Sequence, residues 1–162
     1  MWTAHFLSAD GVILDLTARN KRGVLQSLSA EAASRLGRPE EEILEALQAR
    51  EQLGSTALGR GVALPHARLQ GNDPPLMLFA RLHRPIDYEA RDEEPVDLVI
   101  LVLWPEASPE GFLPTLAETC RALREPQVLR RLRTSDSPDE VVALLRPAGS
   151  APAGAGARPE AE

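Results

Sequence analysis

Apolar residues in the first third of the chain switch from one period to another. Val12 to Leu16 (VILDL) is a short run between Gly11 and Thr17 and predicts a first strand. From Lys21 to Leu36 the apolar positions Val24, Leu25, Leu28, Ala32 and Leu36 recur at helical spacing, with Asn20 placed to cap the start and Gly37 to end it. A second helix is expected to begin with Pro39 at its first position. Glu40, Glu41 and Glu42 favour its N-terminal dipole, and Ile43, Leu44 and Leu47 form its buried stripe. Gly54 should end that helix, and a glycine-rich segment runs on to Gly61.

The pattern then returns to period two, with β-type runs at Val62–Leu64, Leu76–Leu82 and Val96–Leu103. From Leu98 onward the third run is apolar at every position, which predicts a central strand covered on both faces. Phe112, Leu113, Leu116, Cys120 and Leu123 form one later helical stripe, and Val128, Leu129 and Leu132 a shorter one. Pro114 conflicts with a helix that starts at Pro109, so a late start or a kink is expected there. The last helix is the best signalled: Ser137 as cap, Pro138 at the first position and Glu140 completing a capping box before Val141, Val142, Leu144 and Leu145. Strand, two helices, a group of strands and three helices predict an α/β domain of three layers, a mixed sheet flanked by helices on both faces.

Composition narrows the function. A chain of 162 residues, 43% hydrophobic and 26% charged, suits one soluble domain with a real core. The 18 Lys and Arg against 24 Asp and Glu give a net charge of -6, which disfavours general nucleic-acid binding. One cysteine, Cys120, excludes an internal disulfide, and the expected setting is reducing and cytoplasmic. No signal-peptide pattern opens the sequence, and its longest apolar run, Leu98 to Trp104, is far short of the roughly 20 residues that cross a bilayer, so no membrane insertion is expected. The last sixteen residues, PAGSAPAGAGARPEAE, are mostly Ala, Gly and Pro. Residues 1–146 are read as the folded domain and 147–162 as a disordered tail.

The candidate chemistry is concentrated in Ala49 to Arg68, AREQLGSTALGRGVALPHAR. Gly54, Gly59 and Gly61 allow close approach of backbone N–H groups, Ser55 and Thr56 supply hydroxyls, and Arg50, Arg60 and Arg68 supply charge around His66. Each is a phosphate-friendly group. The string is neither a Walker A loop nor a dinucleotide fingerprint. His66 is the natural nucleophile, because a neutral imidazole offers a lone pair that can form a phosphoramidate. If the chain stays extended through residue 68, Arg68 shares the face of His66. An isolated Pro-His would be a solvated surface histidine; the surrounding pattern is what argues otherwise. His83 reads as an exposed turn residue, His5 as part of a mobile terminus and Cys120 as a buried, inert thiol. Asp92-Glu93-Glu94 reads as a solvated loop, and Arg130, Arg131 and Arg133 as the wet face of a helix that could dock an acidic protein. No metal site or cofactor is indicated.

Gly54-Ser55-Thr56, Gly59 and Gly61-Val62-Ala63-Leu64-Pro65-His66-Ala67-Arg68 resemble the signature around the phosphorylated histidine of the fructose/mannitol-type (type 2) enzyme IIA domains of the bacterial phosphotransferase system, a family that includes the nitrogen-regulatory enzyme IIA. The resemblance extends over residues 6 to 146 and takes in Ala49-Arg50-Glu51, Pro85-Ile86-Asp87-Tyr88, Pro95-Val96-Asp97-Leu98-Val99 and Leu129 to Arg133. It implies that His66 accepts a phosphoryl group from the carrier protein HPr or its nitrogen-branch homologue, with Arg50, Ser55, Thr56 and Arg68 stabilising it. A IIB component or a regulated protein would be the onward partner.

One position departs from the family. A second histidine is usual at the start of the helix after the central strand, in a Glu-His-Leu context; here Glu110-Gly111-Phe112-Leu113 stands there, so Phe112 replaces an imidazole. The expectation is therefore a regulatory phosphocarrier rather than an efficient sugar transporter. Its competitor is an enzyme IIA-like module that binds a protein without being phosphorylated. A hydrolase using His66 as base ranks below both, since no nucleophile with a carboxylate partner stands out.

Overall fold

The computed structural model describes residues 6–145, so the expected disordered tail, 147–162, and His5 lie outside the described residues. After a short 3-10 turn at Ala9–Gly11, the elements are β1 (Val12–Leu16), α1 (Lys21–Leu36), α2 (Glu40–Gln52), β2 (Ala57–Gly59), β3 (Val62–Ala63), β4 (His66–Leu69), β5 (Leu76–Ile86), β6 (Val96–Pro105), α3 (Phe112–Ala122), α4 (Pro126–Thr134) and α5 (Pro138–Leu144). The six strands form one mixed sheet in the order β1-β5-β6-β3-β2, with β4 also on β6. β5 and β6 are antiparallel neighbours, whereas β1 joins β5, and β3 and β4 join β6, in parallel.

β6 is the hub, and its sequence explains why. From Leu98 to Trp104 alternate residues enter opposite cores: Val99, Leu101 and Leu103 face the layer of α1 and α2, while Leu98, Ile100, Val102 and Trp104 face the layer of α3, α4 and α5. An uninterrupted apolar run is what a strand covered on both sides requires. The three-layer reading holds.

Local signals act where expected. Asn20 accepts a hydrogen bond from the Gly23 N–H at 2.8 Å, and Gly37 closes α1 in the left-handed region at φ 66°. Ser137 accepts from the Glu140 N–H at 3.2 Å at the head of α5. Three readings need correction. Pro39 is the extended residue before α2 and not its first helical one. α3 starts at Phe112, the late start expected, which leaves Pro114 in the first turn, where no intrahelical N–H bond is due; the predicted stripe is what changes. That late start puts Phe112, Thr115, Thr119 and Leu123 inward, so Leu113 is 70% exposed and Cys120, at the stripe's edge, is half-buried. His83 lies within β5, because that strand runs on to Ile86; it is exposed, with Nδ1 3.0 Å from Asp15 Oδ1.

Candidate functional site

Two short strands build the site: β3, which the sequence marks as a β-type run, and β4, which it does not. The Gly61 and Pro65 carbonyls accept from the Leu98 and Val102 N–H groups, so β3, the Leu64-Pro65 link and β4 form one edge along β6. His66 opens β4 opposite Val102, and the strand's alternation buries Ala67 and Leu69 while His66 and Arg68 share the other face. Extension through Arg68 is therefore met.

The hydrogen bonds of His66 define its tautomer. Nδ1 lies 2.8 Å from the Leu64 carbonyl oxygen, which can only accept, and Arg50 Nε donates to Nε2 at 3.3 Å. Nδ1 therefore carries the proton and Nε2 the lone pair. Burial lowers the His66 pKa below the ordinary imidazole value, and the Arg50 charge adds to that; the Leu64 carbonyl and the Glu51 charge work against it. The ring is neutral at neutral pH. Arg50, in the last turn of α2, is steadied by donating from Nη1 to the Gly54 carbonyl at 3.0 Å.

Phe112 stands beside the histidine. Its ring centroid is 6.0 Å from that of His66, and Trp104 and Phe6 extend the row behind it at 5.7 and 5.0 Å. Gly111 makes this packing possible: its φ is 90°, and a Cβ there would come within 3.1 Å of the Trp104 ring. The face of His66 turned toward α3 therefore meets an aromatic ring that has no hydrogen to donate.

The hydroxyls are engaged inside the protein. Ser55 donates to the Tyr88 carbonyl at 2.9 Å and accepts from the Ala57 N–H. The Thr56 hydroxyl donates to Glu51 Oε2, and its N–H donates to Glu51 Oε1 at 3.1 Å. Glu51 was not singled out for a role from the sequence, yet it is the hub beneath the loop. It also accepts from the Tyr88 hydroxyl at 3.1 Å and from Lys21 Nζ at 2.9 Å. Tyr88 is fully buried, and that burial together with the Glu51 charge pushes its pKa far above the usual phenol value. Glu51, Tyr88 and Lys21 are far apart in sequence, so only the identity of Glu51 beside Arg50 offered a signal.

The Arg68 side chain is exposed and makes no hydrogen bond among the described residues. Arg60 departs from the expectation that it gathers at His66. The β6 groups bonded to Gly61 and Pro65 are four residues apart, about 13 Å of strand, and the Arg60 guanidinium turns to the Arg124 carbonyl at 2.8 Å. Nor are the α4 arginines simply a wet face. Arg133 pairs with Asp97 at 2.9 Å and Arg131 with Glu140. Asp92, in the acidic loop, accepts from the Arg60 and Glu94 N–H groups. No group of three His, Cys, Asp or Glu that could hold a metal ion occurs among the described residues, and no helix there is long and apolar enough to cross a membrane.

The site thus combines a neutral histidine, an arginine on its unprotonated nitrogen and a glycine loop locked below it. The family model for the EIIA 2 component of the phosphoenolpyruvate-dependent sugar phosphotransferase system matches residues 5–147. The chain belongs to this family. A nitrogen regulatory protein of Bradyrhizobium diazoefficiens is 40% identical over 139 residues, covering 86% of this chain and 91% of its own. Among solved structures, the nitrogen regulatory protein IIA-Ntr of Neisseria meningitidis matches with a TM-score of 0.84 and 30% identity, over 88% of this chain and 97% of its own. The IIA mannitol protein of Escherichia coli shares the fold, with a TM-score of 0.71 at 23% identity, over 86% of this chain and 98% of its own. The enzyme IIA domain is thus drawn toward its nitrogen-regulatory branch.

Proposed function

We propose that His66 is the phosphoryl acceptor and that this enzyme IIA domain is a phosphorylation-state regulator. The carrying observation is the His66 tautomer. Nε2 attacks the phosphorus of a phosphohistidine on HPr or its nitrogen-branch homologue; a new N–P bond forms while the donor's N–P bond breaks and its electron pair returns to the donor imidazole. Nδ1 keeps its proton throughout. The positive charge that the new bond leaves on the His66 ring is met by the Leu64 carbonyl. Arg50 shifts from the lone pair to the phosphoryl oxygens, and Arg68, on the same face, adds charge. Ser55 and Thr56 act by holding the loop. Leu53 at the end of α2 and Leu113 in α3 are 84% and 70% exposed, apolar contacts suited to a protein donor.

Phe112 favours regulation over sugar transport. It packs an apolar ring against the His66 imidazole but gives the phosphoryl group no second imidazole donor, which slows transfer to a IIB component. The state of His66 then serves as a signal to a regulated protein. The setting is the cytoplasm, where phosphorylated carriers are made. The test is incubation with phosphoenolpyruvate, enzyme I and HPr or its homologue, read by intact-mass analysis. An acid-labile gain of one phosphoryl group, absent in His66→Ala, is expected; no gain with any cognate carrier overturns the proposal and leaves the non-phosphorylated binding module, which the loss of the second imidazole also suits.

A further inference from the structure

A second feature lies at the other end of the same sheet edge, where the β2–β3 turn meets the corner between α3 and α4. Arg60 occupies that turn at φ 60°, a left-handed conformation that favours glycine or asparagine over arginine. It is held at three points: its N–H donates to Asp92 Oδ2 at 3.1 Å, its carbonyl accepts from Arg133 Nη2 at 2.6 Å, and its own Nη1 donates to the Arg124 carbonyl at 2.8 Å. Gly61 has no side chain because Arg133 fills that space, 2.5 Å from where a Cβ would stand. An arginine kept in a disfavoured conformation, with its head group fixed over a cleft, points to use of that head group.

Arg60 lines two adjoining cavities. One, of about 490 Å³, is bounded by Pro126, Leu129, Arg130, Arg133 and Thr134; the other, of about 260 Å³, by Leu58, Val62, Cys120, Leu123 and Arg124. No carboxylate lines either. Arg133 is neutralised by Asp97, but the Arg60, Arg124 and Arg130 guanidiniums form no ion pair among the described residues. The Asp92 carboxylate is bonded to the Arg60 N–H at the turn, and Glu125 follows Arg124 at the head of α4. Leu58 is 44% exposed. An apolar floor rimmed by three arginines outside any ion pair among the described residues, on a chain of net charge -6, complements an acidic amphipathic segment.

We propose that this cleft docks a glutamate- and leucine-bearing segment of a partner protein, independently of His66. The probe is a capped synthetic peptide with leucines at helical spacing and glutamates elsewhere, titrated into the labelled full chain and followed by amide NMR and calorimetry. Saturable, salt-weakened binding is expected, with shifts centred on residues 58–61 and 124–134. A triple variant, Arg60→Gly with Arg124→Glu and Arg130→Glu, should lower affinity about tenfold or more, and Arg60→Gly keeps the positive φ of the turn. Arg130→Glu alone, on the exposed face of α4, provides the same comparison if the triple variant does not fold. The proposal is overturned by no saturation at about 1 mM peptide, by affinity unchanged in the variants, or by shifts centred on His66. Displacement by equimolar inorganic phosphate would assign the cleft to a small anion. Self-association lost in Arg130→Glu would assign it to a second copy; either result also rejects the proposal.

Discussion

Glu51→Gln probes the coupling between the fold and the histidine. In the native site, Oε2 accepts two hydroxyl protons, from Thr56 and Tyr88, and Oε1 accepts the Thr56 N–H and Lys21 Nζ. An amide has one oxygen, and it must face Lys21 and the Thr56 N–H, since neither can accept. The NH2 then meets the two hydroxyls, which can rotate to accept one hydrogen bond each but lose their charged partner. The Lys21–Glu51 pair, with side chains only 14% and 7% exposed, also loses its charge, though Lys21 keeps Glu89 at 3.2 Å. Charge-assisted bonds are worth ~1.5–3 kcal/mol each, and most of the geometry survives, so the net loss should be about 2 kcal/mol. With a urea m-value of roughly 1–3 kcal/mol/M, the unfolding midpoint falls by about 1 M. The same substitution removes an anion that raises the His66 pKa, so an NMR titration of the ring should move further down. A midpoint unchanged within about 0.2 M, or a His66 pKa that rises, would refute the claim that Glu51 ties the glycine loop to the histidine.

Arg50→Ala removes a cation that lowers the His66 pKa, so the titration should move up while the rate of phosphoryl acceptance falls; a downward move contradicts the assigned contact. Because folding depresses the His66 pKa from 6.5, the unfolded chain binds the proton more readily. Stability from the neutral ring is therefore full above about pH 6.5 and declines as pH falls toward the folded pKa, and His66→Gln should flatten that part of a denaturation-versus-pH profile. Phe112→His supplies a donor beside the His66 ring and should raise the rate of onward transfer, with ~1–2 kcal/mol of stability lost with the buried ring and its Trp104 contact, measurable by urea unfolding. An unchanged transfer rate would show that the missing imidazole does not limit transfer.

The helices and the central strand were legible because their signals are local. Asn20, Gly37 and Ser137 each act on backbone within three or four residues, and the Leu98–Trp104 run carries its two-sided burial in its own composition. β2 and β4 were not legible as strands, since segments of three and four residues owe their conformation to pairing partners elsewhere in the chain. The same limit applies to the site. His66, Arg50 and the glycine loop lie within one stretch, but the Glu51–Tyr88–Lys21 network joins residues 30 and 37 positions from Glu51, and the turn of Arg60 away from His66 depends on the α3–α4 corner. Phe112 was located through the family resemblance; what composition could not convey is that Gly111 brings its ring against Trp104 and His66.

On this reading Nε2 of His66 is the nucleophile, kept unprotonated by the proton on Nδ1. Its most direct test is long-range 1H–15N correlation with phosphorus coupling on the uniformly labelled protein, phosphorylated through enzyme I and its carrier. Phosphorus is expected on Nε2 of His66 alone, with Nδ1 still protonated; phosphorus on Nδ1, or on His83, would overturn that assignment.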